Sequence, residues 1–257
     1  MKSLSLRWTV WYCVSFLIYY LMELFLALNK SVERQPSKIC TRQSFFLLFS
    51  QITDPENQQL LLAMAASPRF RDMALCHYVN ETDVAAEKQF AAITITVDED
   101  TKYVAFRGTD STLVGWKEDF NMAYITPVPA QQTAQEYVEK TAGQWQGKLW
   151  LGGHSKGGNL AVYAGIHAEE NVRGQIERIY SHDGPGFVEE FLSGNAFADL
   201  SGRIDKTLPR SSIFGMMFET QEDYAIVEST EFSLLQHNPF SWVVDGRDFV
   251  YCERLSA

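Results

Sequence analysis

The sequence predicts an α/β protein, a mostly parallel sheet with helices on its faces, and three observations carry that prediction. The 257 residues are 46% hydrophobic and 21% charged, enough apolar surface to offset the chain entropy lost on folding, which excludes a disordered or collagen-like chain. Strand-like and helix-like apolar patterns alternate as β, α, β, α. A glycine-rich turn, Gly153-His-Ser-Lys-Gly157, joins an apolar strand to an apolar helix. The length suits one α/β domain. With 22 Lys+Arg against 32 Asp+Glu the net charge is −10, which argues against a nucleic-acid partner whose phosphates need neutralising.

Taken in order, residues Trp8 to Met22 carry no charge, and after Glu23 the apolar run continues to Leu28. About 20 such residues span a bilayer, and Trp8, Trp11 and Tyr12 suit its interface. Membrane association through residues 8–28 therefore stands beside a helix packed on the domain, and the expected location is cytoplasmic or membrane-anchored. No small-x-small cleavage site ends the run. Residues 29–45, with Pro36, read as a linker, so 1–40 is expected to be a leader and 41–257 the folded domain. Cys13, Cys40, Cys76 and Cys252 lack C-x-x-C spacing and read as packing residues in a reducing compartment.

Two short helices are expected between Phe45 and Ala66, separated by Asp54-Pro55. Ala91 to Val97 and Lys102 to Phe106 form a hairpin around Asp98-Glu-Asp-Thr101. Ala134, Tyr137, Val138, Ala142 and Trp145 share one helical face. Leu149-Trp-Leu151 is a strand, Gly157 to Ala168 a helix, and Ile179-Tyr180, Ile213–Phe218 and Phe249–Cys252 are further strands.

Chemistry concentrates at Ser155. In G-x-S-x-G between a strand and a helix, the serine sits on a strained turn whose flanking glycines leave room for neighbouring backbone. A hydroxyl is a weak nucleophile until a base takes its proton. Of the five histidines, His77 precedes the serine, whereas this arrangement runs serine, acid, histidine. His154 lies inside the turn, and His167 is about 18 Å up the helix axis. His182 directly precedes a candidate acid at a strand end, so the two side chains diverge. His237 remains. For the acid, Asp183 precedes Gly184-Pro185-Gly186 at a strand's C-terminal end, where catalytic groups of such sheets gather. Asp223 is the alternative, while Asp199 and Asp205 read as solvated loop charges. Oxyanion donors are expected from the N–H of Lys156, the residue after the nucleophile, and from Thr109 in the loop after the Lys102 to Phe106 strand.

These residues resemble a known group. Phe106-Arg-Gly-Thr-Asp with Gly153-His-Ser-Lys-Gly-Gly158 is similar to the F-R-G-[ST] and G-H-S-x-G-G pattern of class 3 (fungal-type) lipases. More closely, residues 106–120, 153–161, 183–187 and 236–242 resemble the motifs of a bacterial lipase-like α/β-hydrolase family of unknown function. The resemblance implies Ser155 as nucleophile, Asp183 as acid, His237 as base, and Thr109 and Lys156 as oxyanion donors. It implies acyl or ester hydrolysis without fixing a substrate, and the expected reaction is cleavage of a small-molecule carboxylic ester, a lipid-like one included, through an acyl-serine intermediate without metal or cofactor. A non-catalytic binding protein on the same scaffold, or an acyltransferase or thioesterase with the same triad, is the alternative. Lys156 departs from the leucine usual in class 3 lipases. Trp116 and its neighbours, residues 111–129, suit a lid or acyl-binding wall. The leader falls outside the resemblance, as either an anchor or a misplaced gene boundary.

Overall fold

The computed structural model describes residues 37–38, 55–109 (except 69 and 72), 127–187, 194–217 and 223–255 (except 247). Its strands are β1 (Ser37–Lys38), β2 (Ala74–Asp83), β3 (Lys88–Thr96), β4 (Thr101–Phe106), β5 (Lys148–His154), β6 (Ile176–His182), β7 (Ile204–Pro209), β8 (Tyr224–Val227), β9 (Val244–Asp245), β10 (Asp248–Phe249) and β11 (Tyr251–Cys252). The helices are α1 (Pro55–Ala66), α2 (Pro129–Gly143), α3 (Lys156–His167), α4 (Glu170–Gln175) and α5 (Asn195–Ser201), and 3-10 turns cover Ser233–His237 and Pro239–Ser241.

Among the described residues one nine-stranded sheet runs β1-β2-β3-β4-β5-β6-β7-β8-β11. Its centre, β4 through β8, is parallel. β1, β2 and β3 extend one edge antiparallel, and β11 closes the other against β8. This is the α/β-hydrolase arrangement expected from the sequence. Phe90 to Ile95 are buried along all of β3, because strands covered on both faces have no solvent side to alternate with. Ala134 and Val138 of α2 and Leu160 and Ala164 of α3 pack with Val104, Phe106, Leu151 and Ile179 in one core. That packing brings the N-terminus of α3 to the carboxyl end of the parallel strands.

Several expectations are corrected. Residues 213–217 are bends and turns rather than a strand, and the strand beside β6 is β7. Its run Asp205-Lys206-Thr207 lacks apolar alternation, yet Lys206 and Thr207 are buried. Asp205 is thus no solvated loop charge: burial raises its carboxyl pKa to about 6, against the opposing Arg178 guanidinium 3.7 Å away. Asp199 is exposed but lies on α5. The Phe249–Cys252 strand divides into β10 and β11 at Val250, whose N–H turns to the Val243 carbonyl. Of the two early helices, α1 begins at Pro55, where the missing proline N–H costs nothing, and the first half lies outside the described residues. So does the apolar run 8–28. Among the described residues no helix is long and apolar enough to cross a membrane.

Candidate active site

Ser155 occupies the junction of β5 and α3 at φ 55°, ψ −130°, a region that costs a non-glycine residue about 1–3 kcal/mol. The turn is held from both sides. Ser155 N donates to the His182 carbonyl of β6 at 2.9 Å, and Gly158 N donates to the Ser155 carbonyl at 3.0 Å. A Cβ on Gly153 would lie 2.5 Å from the Phe106 carbonyl oxygen, and one on Gly157 2.2 Å from the same atom. The flanking glycines thus exist to let β4 backbone approach the turn.

Lys156, the first residue of α3, is 2% exposed. Its Nζ donates to the Gln89 carbonyl at 3.0 Å and to Gln89 Oε1 at 3.4 Å, so the side chain runs to β3. First-turn N–H groups of a helix face out of its N-terminus. Phe106 pairs with Gly153 in register, which sets Thr109, just past β4, at the same sheet edge as the turn.

Asp183 follows β6 at φ 48°, and its N–H donates to the Thr207 carbonyl at 2.8 Å. The carboxylate is fully engaged. Oδ2 lies 2.6 Å from His237 Nδ1. Oδ1 accepts from Gly215 N at 3.1 Å and from the Ser212 hydroxyl. Asp183 is 1% exposed at its side chain and His237 22%, so the acid is sealed while the imidazole reaches solvent. His237 ends the 3-10 turn Ser233–His237, and its ring lies between Phe214, centroids 4.3 Å apart, and His154, 4.4 Å apart. Gln236 anchors that turn: its carbonyl accepts from Trp242 Nε1 at 2.8 Å and its Oε1 from Ser211 N at 2.9 Å.

Two neighbouring imidazoles are uncharged. Burial, then the nearby His237 and His182, push the His154 pKa well below its ordinary value. Burial lowers His182 to about 3. Asp223 is exposed beside the start of β8. His77 sits exposed in an irregularity of β2, and His167 at the far end of α3 beside Tyr163. Trp116 and residues 111–126 lie outside the described residues. Sequence reasoning missed Ser212 and Gly215 as donors to the acid and Phe214 as a wall of the histidine. The available signal was the serine and glycine spaced three apart, a turn signature hidden inside an apolar run.

His154, Asp183 and His237 together offer three metal-ligand atoms within 4.8 Å of one another. Ligand atoms around a tetrahedral ion with bonds of about 2.0–2.1 Å sit about 3.3 Å apart. The 2.6 Å between Asp183 Oδ2 and His237 Nδ1 is instead a hydrogen-bond distance.

Among solved structures, a variant of MDLA from Penicillium cyclopium matches with a TM-score of 0.54 at 10% identity, covering 99% of this chain and 88% of that one. A fungal lipase–inhibitor complex gives a TM-score of 0.47 at 14% identity, over 84% of this chain and 80% of that one. A triacylglycerol lipase from Penicillium expansum gives 0.41 at 14%, over 71% and 74%. No curated protein matches. At such identities the first likeness is one of fold alone, a mostly parallel sheet flanked by helices. Residues 64–257 match the Mbeg1-like family, and the chain belongs to that Mbeg1-like family.

Proposed function

We propose that the protein is a serine hydrolase that cleaves carboxylic esters, lipid-like ones among them, through an acyl-serine intermediate. The observation that carries this reading is the Asp183–His237 pair at 2.6 Å, on the same sheet edge as the strained turn of Ser155. With Nδ1 bound to the carboxylate, the histidine is held in the tautomer whose Nε2 accepts a proton. Nε2 takes the proton of the Ser155 hydroxyl as its oxygen bonds to the ester carbonyl carbon. The negative charge that develops on the carbonyl oxygen is met by the N–H groups of Lys156 and Thr109. Collapse expels the alcohol, which takes the proton from His237. Water, activated by the same nitrogen, then bonds to the acyl carbon and releases the acid and the serine.

Asp183 stabilises the imidazolium in both halves of the cycle, held in place for that task by its hydrogen bonds to Ser212, Gly215 and His237. A fluorophosphonate probe tests the reading. Wild-type protein is expected to be labelled, and Ser155→Ala to lose labelling with an unchanged fold by circular dichroism; a folded wild type that resists labelling overturns it. Turnover of p-nitrophenyl esters of graded acyl length then sets the chain-length preference.

A further inference from the structure

The acid does not hold its position alone. Asp183 stands at φ 48° at the head of a loop that crosses the first turn of α3. That loop lies so close to the nucleophile turn that a Cβ on Gly184 would come 3.0 Å from the Ser155 carbonyl oxygen and 3.1 Å from Asn159 N. One side chain is built into the crossing. Asn159 Nδ2 donates to the Pro185 carbonyl at 3.1 Å and to the Gly186 carbonyl at 3.2 Å. Its Oδ1 accepts from Gln131 Nε2 at 2.8 Å. Gln131 Oε1 in turn accepts from Val128 N at 2.9 Å, at the start of α2. Both amides are buried, Asn159 at 2% and Gln131 at 1% exposure.

We propose that Asn159 is a positioning residue for Asp183: its carboxamide, oriented by Gln131, clamps the Pro185 and Gly186 carbonyls and so keeps the carboxylate aligned on His237. The inference rests on the reading of Ser155, Asp183 and His237 as the catalytic set. The chemistry of the clamp admits few substitutes. It needs a donor facing two carbonyls and an acceptor facing the Gln131 amide, four residues after the nucleophile. Leucine of similar size leaves the half-buried Pro185 and buried Gly186 carbonyls without this donor, and aspartate faces them with a second set of acceptors. Asn159 N also donates to the Ser155 carbonyl at 3.4 Å, so one residue ties the acid loop to the backbone of the nucleophile itself. On the far side of the loop, Gly186 N donates to the Met217 carbonyl at 2.8 Å, which fixes it to the segment that supplies Ser212 and Gly215.

A double-mutant cycle tests this, with p-nitrophenyl butyrate as substrate and turnover counted per folded protein, its amount fixed by absorbance and its fold by circular dichroism. Asn159→Leu is expected to lower kcat by about 100-fold, the scale of an ångström-sized misplacement, with KM held within about twofold. In the Asp183→Asn background the same change is expected to cost less than about threefold, because the group it positions is already gone. Equal losses in both backgrounds, or a lowered Tm with unchanged kcat, overturn the proposal. Should Asn159→Leu fail to fold, Gln131→Leu acts one step removed and is expected to give the same pattern, weakened. Proton NMR separates the two readings. The downfield Nδ1 proton of His237 is expected in wild type and broadened or shifted in either variant, whether or not the protein turns over ester. An unchanged resonance overturns the positioning role, and a wild type with neither turnover nor resonance overturns both.

Discussion

At the scale of the residue, the site sets a hydrogen-bonded acid and its histidine beside imidazoles that burial keeps neutral. Asp183 is sealed and saturated with donors, while the neighbouring His154 and His182 are kept neutral by burial. His237 is therefore the histidine of this cluster with both a carboxylate partner and access to solvent. Asp183→Asn is expected to reduce kcat by about four orders of magnitude, because an amide at that position selects the wrong imidazole tautomer. Asp223→Asn, an exposed change, is expected to leave kcat within about twofold; steady-state kinetics of the two variants distinguishes them, and the reverse outcome moves the acid to Asp223. Ser155 was legible from local glycine spacing. The Asp183–His237 contact joins residues 54 apart in sequence, and no spacing encodes such a pair. Chain order together with helix and strand geometry narrowed the histidines to one and left Asp223 standing beside Asp183.

Elements whose residues obey one periodicity were legible, and those stabilised by their neighbours were not. The β3–β4 hairpin and the β5–α3 junction read directly from apolar runs and glycines. β7 did not, because Asp205-Lys206-Thr207 looks like a surface strip and becomes a strand through pairing with β6 and β8. Ile213 to Met217 erred the other way: its apolar residues are turn residues, with Ile213 and Met217 exposed. The elbow depends on one close approach between elements. Gly157→Ala would press a Cβ to within 2.2 Å of the Phe106 carbonyl, so urea unfolding is expected to show a loss of about 1–3 kcal/mol or more. Gly174→Ala on α4, where nothing lies within 4 Å, is the control, expected to gain about 0.5–1 kcal/mol from helix propensity.

For the whole molecule, burial of ionisable groups sets opposing responses to pH. His182 has its pKa lowered from 6.5 to about 3, so the unfolded chain binds the proton more readily. Its contribution is present above pH 6.5 and is lost as pH falls toward 3. Asp205 has its pKa raised from 3.8 to about 6, so the folded protein holds the proton longer. That contribution is present below pH 3.8 and is lost as pH rises through 6. Thermal melts are expected to show Asp205→Asn more stable than wild type at about pH 8, by an amount on the order of 1–3 kcal/mol, with the two converging below about pH 4. A constant offset at every pH would remove Asp205 as its source. His182→Phe is expected to flatten the fall of wild-type Tm on acidification below 6.5. The α/β class was visible in the alternation of patterns; the clustering of buried polar groups on β6 and β7 was not, since burial belongs to the assembled sheet.

The Phe106 carbonyl bars a side chain at both Gly153 and Gly157, and this couples two codons through an atom that no substitution can remove. A change at either glycine gains nothing from a change at the other, because the obstacle is main chain common to every variant. Neutral drift through this turn is therefore closed off residue by residue, while Lys156 between them, whose side chain leaves for β3, escapes that obstacle and is constrained instead by the donor that the buried Gln89 carbonyl takes from it.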